Sequence, residues 1–103
     1  MVHVVAIITA KPGKREELLQ LVRANLAAVR AEQGCIDYGP VVDVPAFGGA
    51  QAELGPDTFA FIEKWASAEA LKVHFTQPHM LDYREKSKDL IAARAVHVLE
   101  SAE

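Results

Sequence analysis

Glu63, Trp65 and His74 are the side chains of this sequence best placed to do chemistry. Phe59-Ala-Phe-Ile-Glu-Lys-Trp65 carries an aromatic or acidic residue at every second position. Strand side chains alternate faces with period two, so Phe59, Phe61, Glu63 and Trp65 share one face. A carboxylate among rings must find a partner or shift its pKa. His74 follows nine residues after Trp65. A turn and about two helical turns would bring its imidazole back over the same face. An imidazole titrates near neutral pH, which makes His74 the candidate general base. Glu63 would orient it or hold a substrate hydroxyl. Trp65 and Tyr38 would donate N–H and O–H bonds to a developing oxyanion. Phe59, Phe61, Phe75 and Met80 would wall the pocket, with Tyr83 at its edge. The bland alternatives are a half-buried strand whose Glu63 reaches solvent or a lysine, and a helix histidine bonded to a carbonyl.

Other chemistries lack their residues. No G-x-G-x-x-G follows a strand and no Walker lysine loop is present. Gly48-Gly49 falls in a loop rather than at the head of a crossover helix. His74 and His79 lie five apart across the helix-breaking Pro78, outside the i,i+4 register of a helical metal pair. No cofactor and no metal are therefore expected. His3 and His97, near the termini, are expected on outer strands at the surface or an interface. The formal charge of −3, with basic residues scattered among acids, gives no footprint for nucleic acid. A single cysteine, Cys35, cannot close an internal disulfide and fits a reducing compartment. The apolar run Val2–Ala10 is too short to span a bilayer, and its basic residues follow it rather than precede it. A cytoplasmic protein with no membrane association is expected.

The elements that must position these side chains are legible in outline. Residues 1–103 are of a length to form one domain with its own core. Val2–Thr9 is β-branched and nearly continuous, as in a strand covered on both faces. Leu18, Leu19, Val22, Leu26 and Val29 form the apolar stripe of a helix that opens on Glu16 and Glu17 and ends at Gln33-Gly34. Gly34 suits the left-handed C′ position. Strands are expected at Ile36–Val44, Thr58–Trp65 and Ala95–Leu99, with Pro45–Asp57 a loop. Ser67 would cap a helix over Ala68–Thr76, and a further helix would run from His79 to Ala93. The order β-α-β-β-α-β predicts an α+β, ferredoxin-like antiparallel sheet with its helices on one face. Ile7 and Ile8, Phe61 and Ile62, Val98 and Leu99 cannot all face those helices. A second copy of the chain would cover the other face, giving a homodimeric α+β barrel.

Val4-Val-Ala-Ile-Ile-Thr-Ala-Lys-Pro-Gly-Lys-Arg-Glu-Glu-Leu18, Gln33-Gly-Cys-Ile-Asp-Tyr38, Phe61-Ile-Glu-Lys-Trp-Ala-Ser-Ala-Glu-Ala-Leu-Lys-Val-His74 and Pro78-His-Met80 together resemble the antibiotic biosynthesis monooxygenase domain family. The resemblance spans essentially the whole chain and implies the dimeric ferredoxin-like barrel. Its members include cofactor-independent oxygenases of quinols and anthrones, haem-degrading enzymes and an isomerase of a phosphorylated sugar. The haem-degrading members carry an Asn, a Trp and a haem-ligating His where this chain has Ala6, His74 and Arg84, so none matches. The expected function is therefore cofactor-independent oxidation of a small electron-rich aromatic by O2, initiated by substrate deprotonation. A phosphosugar-type isomerase using Lys64, Lys72 and Arg84, and a non-catalytic dimeric binding protein, are the alternatives.

Overall fold

The apolar run Val2–Ala10 forms β1 in the computed structural model, which describes residues 1–103. Helix α1 (Arg15–Arg30), β2 (Cys35–Val41), β3 (Thr58–Trp65), α2 (Ala68–His74), α3 (Pro78–Ser87) and β4 (Ile91–Leu99) follow, with a single 3-10 turn at Lys88–Leu90. The strands form one antiparallel sheet in the order β2-β3-β1-β4. This is the expected ferredoxin-like α+β arrangement. No helix is long and apolar enough to cross a membrane.

Alternation in β1 sorts the sheet into two faces. Val4, Ala6, Ile8 and Ala10 are buried, whereas Val5, Ile7 and Thr9 between them are only half-buried. Cross-strand register puts Val4 opposite Glu63, Ala6 opposite Phe61 and Ile8 opposite Phe59. Strand residues directly opposite one another share a face, so the even positions of β1 and the aromatic positions of β3 floor one layer. Helix α1 closes over that layer with Leu18, Leu19, Val22 and Val29 buried.

Several placements differ from expectation, among them α2, which ends at His74 rather than Thr76, and α3, which spans Pro78–Ser87 rather than His79–Ala93. Strand β4 begins at Ile91 rather than Ala95, because Ala10 pairs with Ile91 and the ladder to β1 outweighs the helix propensity of the Ala-rich run. Strand β2 stops at Val41. Residues beyond it are held differently, with the Asp43 carboxylate accepting the Leu54 and Gly55 N–H groups at 2.9 Å each. His3 sits on an inner strand, not an outer one, since β1 lies between β3 and β4. Helix α1 ends at Arg30 with Ala31 as its cap, and Gly34 serves the turn into β2 instead of the helix cap.

Gly34 is required at that turn on two counts. Its φ is +86°, and a Cβ there would lie 2.6 Å from the Cβ of Ala70 on α2. The close approach brings the end of α1 against the start of α2, and Ala66 N–H donates to the Gly34 carbonyl at 2.8 Å. Gly34→Ala is expected to cost about 2 kcal/mol or more through backbone strain and overpacking. Urea unfolding would show this as a lowered midpoint with an unchanged slope.

Candidate active site

Strand β3 presents Phe61 and Glu63 to the layer between sheet and helices. The chain then turns at Ser67, whose hydroxyl accepts the Ala70 N–H at 3.1 Å and starts α2. Two turns later α2 ends on His74, which is 2% exposed. Pro78 opens α3 at a helix position where its missing N–H costs nothing. The corner between α2 and α3 thus hangs His74, Phe75, Met80, Tyr83 and Arg84 over the sheet.

A cavity of about 70 Å³ lies beneath that corner. Val4, Ala6 and Ile8 form its floor, and Tyr38, Phe61, Glu63, His74, Phe75, Met80 and Tyr83 line its walls. Arg84, Arg94 and Val96, all partly or fully exposed, stand toward its mouth. The space is several times what one water needs. Apart from its phenols and the arginines at its mouth, the wall carries two titratable groups, His74 and Glu63, among apolar and aromatic side chains.

His74 is clamped by a carboxylate that spacing did not reveal. Glu32, just beyond α1, takes the His74 Nδ1 hydrogen bond at 2.8 Å on Oε2, and the same oxygen takes His79 Nε2 at 2.8 Å. The Glu32 side chain is 7% exposed. A carboxylate oxygen accepts, so Nδ1 of His74 holds the proton and, in the neutral ring, Nε2 holds the lone pair. Nε2 has no hydrogen-bond partner in the protein. Burial pushes the His74 pKa below its ordinary value, and the bond and charge of Glu32 oppose that shift. The imidazole is therefore neutral near pH 7, with its acceptor nitrogen available. Trp65 packs on it with ring centroids 4.7 Å apart, Tyr38 at 5.6 Å and Phe75 at 5.4 Å.

Glu63 is the second titratable group. Its Oε1 accepts the Trp65 indole N–H at 2.9 Å, and its other oxygen has no protein partner. Burial raises its pKa, the Trp65 bond lowers it, and the nearby Glu32 charge raises it further. Tyr38 stands opposite Glu63 in the β2–β3 register. Burial, helped by the charge of Glu63, drives its phenol pKa far up, so the hydroxyl keeps its proton and has it to offer in a hydrogen bond.

The structure gathers His74, Glu63, Tyr38, Phe61, Phe75, Met80 and Tyr83 around one cavity. Trp65 and Phe59, both fully buried, stand behind the wall rather than in it. The polar atom of Trp65 is engaged by Glu63 and does not face the cavity. His79 is outside the cavity yet joined to His74 through Glu32, so it is no indifferent neighbour. The carboxylate that joins the two histidines thus comes from Glu32 in the turn after α1, although no group of three His, Cys, Asp or Glu side chains has metal-ligand geometry. Glu32 and Arg94 had no signal in spacing, because each reaches the site through tertiary packing alone. Of the cations considered for a phosphate, Lys64 lies on the opposite sheet face with His3 and Asp37, and exposed Lys72 pairs with Glu69 at 3.6 Å. Only Arg84 reaches the cavity.

The raised Glu63 pKa makes a stability prediction. A carboxyl whose folded pKa exceeds its ordinary value of 4.5 stabilises below that pH and loses the contribution as pH rises through the folded pKa. At pH 7 to 8 an ionised Glu63 therefore works against folding, because its charge has left water without gaining a cation. Glu63→Gln keeps an acceptor for Trp65 without the charge. The variant is expected to melt higher than the parent near neutral pH, with the gap closing below about pH 4.5. Thermal unfolding across that range checks it.

The family model described as antibiotic biosynthesis monooxygenase matches residues 1–86. The chain is 32% identical over 102 residues to a protein of Escherichia coli K12 named probable quinol monooxygenase YgiN, covering 97% of each. Among solved structures it is similar to PA3566 of Pseudomonas aeruginosa, with a TM-score of 0.82, 28% identity and coverage of 99% and 94% of the two chains. Rv0793 of Mycobacterium tuberculosis is also similar, with a TM-score of 0.80, 28% identity and coverage of 99% and 95%.

Proposed function

Because the chain belongs to the antibiotic biosynthesis monooxygenase family, we propose that it oxidises a small electron-rich aromatic, a quinol or an anthrone, with O2 and without a bound cofactor. The observation that carries this reading is His74, held by Glu32 at Nδ1 and unpartnered at Nε2, in an aromatic-walled cavity that Glu63 also lines. A substrate hydroxyl gives its proton to Nε2, and Glu32 steadies the imidazolium that results. The phenolate or enolate passes one electron to O2, and the radical pair combines at a ring carbon to form a peroxide. Loss of water then leaves one oxygen atom on the substrate, so that a quinol and O2 become a hydroxyquinone and water. Tyr38 donates to the oxyanion, and the apolar walls keep water from the intermediates. The name of the Escherichia coli relative agrees with a quinol as substrate.

An oxygen-electrode screen of chelator-treated protein against quinols and anthrones tests the reading. Uptake with one labelled atom from ¹⁸O2 in the product supports it. Binding without uptake across the series would leave a non-catalytic binding protein instead. The single cysteine fits a reducing compartment such as the cytoplasm.

The same proposal includes a homodimer. Register places Val5, Ile7, Ala60, Ile62, Ala95 and Leu99 on the sheet face away from the helices. Ile62 is 44% and Leu99 47% exposed there. Sedimentation is expected to give a dimer at micromolar concentration, with an interface above roughly 1,000 Å². A monomer would refute it.

A further inference from the structure

At Tyr83 and Ile91 the aromatic cavity adjoins a second hollow of about 240 Å³. Tyr83, Arg84, Ile91 and Arg94 line both spaces, so one set of side chains faces the cavity and the hollow beside it. Ser87 and Lys88 complete it. Its charges have one sign, three cations and no carboxylate, on a chain whose net charge is −3.

The pairing of the arginines singles out two of them. Arg23 is bonded to Glu16 at 2.7 Å, Arg30 to the Tyr38 carbonyl at 3.0 Å, and Arg15 to the Gly55 and Thr58 carbonyls at 3.2 Å each. Arg84 and Arg94 have neither a carboxylate within ion-pair distance nor a side-chain hydrogen bond to any acceptor. Both belong to this hollow. Lys88 is held by Glu85 at 2.8 Å and leaves the two guanidinium groups as its free charges. Arg94 stands opposite Ile8 on β1, on the helix-covered face, and the Arg84 guanidinium carbon lies 5.9 Å from the centroid of the Phe75 ring. One ring wall and two free planar donor groups thus meet at the same opening.

We infer that Arg84 and Arg94 form a subsite for an oxyanion, a carboxylate or phosphate, carried by the aromatic substrate whose ring occupies the inner cavity. Guanidinium groups present paired N–H donors that match the two oxygens of such a group, and Arg keeps its charge at any working pH. The inference rests on the aromatic-oxidation reading and specifies the class of substrate within it.

Calorimetric titration near pH 7 with 1-naphthol, 1-hydroxy-2-naphthoate and 1-naphthyl phosphate tests it without turnover. At least one anion is expected to bind about tenfold or more tighter than naphthol, as charge-assisted bonds provide. The two anionic arms tell which oxyanion is preferred, and the preference should shrink as salt rises. In the R84Q/R94Q double variant the ratio of anion to naphthol affinity should fall to about one, as expected once the charge-assisted bonds are gone. Naphthol binding as tightly as both anions, or a double variant that keeps the preference, overturns the subsite. Oxygen uptake on neutral quinols would then still uphold the reaction. Conversely, an anion preference that the double variant abolishes, with no uptake on any quinol, would uphold the subsite and defeat the reaction.

Discussion

His74→Asn is expected to lower turnover of a quinol by about 10²–10⁴-fold, the usual contribution of a general base. Asparagine suits the test better than alanine. Its amide N–H falls near the position of Nδ1 and keeps a donor for Glu32, while nothing replaces Nε2. Alanine would leave the buried Glu32 carboxylate with one donor fewer and open a void beside Trp65 and Tyr38. Leaving a buried charge short of a partner costs about 3–5 kcal/mol, so a lost activity could then reflect unfolding. With asparagine the loss of ring packing should cost about 1–2 kcal/mol. Thermal unfolding and turnover measured on the same preparation separate the two effects. Unchanged turnover would move substrate deprotonation to Glu63 or to solvent.

Glu32→Gln should lower turnover by between about tenfold, as for a lost orienting partner, and about 10⁴-fold, as when an imidazole takes the wrong tautomer. The amide oxygen can still accept from a histidine, but the negative charge is gone and the amide N–H can donate to Nδ1 in the opposite sense. Either outcome makes Nε2 a poorer base. The pH–rate profile distinguishes this from structural damage. Glu32 raises the His74 pKa, so its removal should carry the acid limb of the profile to lower pH. A proportionate fall at every pH would deny Glu32 this role. His79→Ala should lie between Glu32→Gln and the parent, because it removes one of the two donors that fix the carboxylate.

The positions of Glu63 and Phe61 were legible because a strand encodes its faces locally, in every second residue. His74 was legible because Ser67 starts a helix of known rise, so its end could be placed over the strand it follows. The same logic separated Ile62 from Phe61 and exposed the uncovered sheet face. It failed where an element ended by competition. Residues 91–94 have helix-forming alanines, yet the free edge of β1 claimed them for β4 and thereby turned Arg94 into the site. Glu32 was invisible for a related reason. It lies beyond the periodic part of α1, and only the contact of Gly34 with Ala70 carries it to a histidine 42 residues away.

Trp65 is the only tryptophan of the chain, fully buried, bonded to Glu63 and packed on His74. The protein therefore carries an intrinsic optical reporter wired to both titratable groups. Its emission should be blue, as for an indole shielded from water, and a protonated imidazole in contact with it would quench by drawing charge from the excited ring. A fluorescence titration reads the His74 proton directly, without substrate, oxygen or an attached dye. Substitutions at Glu32, His79, Glu63 and the two arginines leave both the indole and the imidazole in place, so the same signal is available in each, and His74→Asn should remove it.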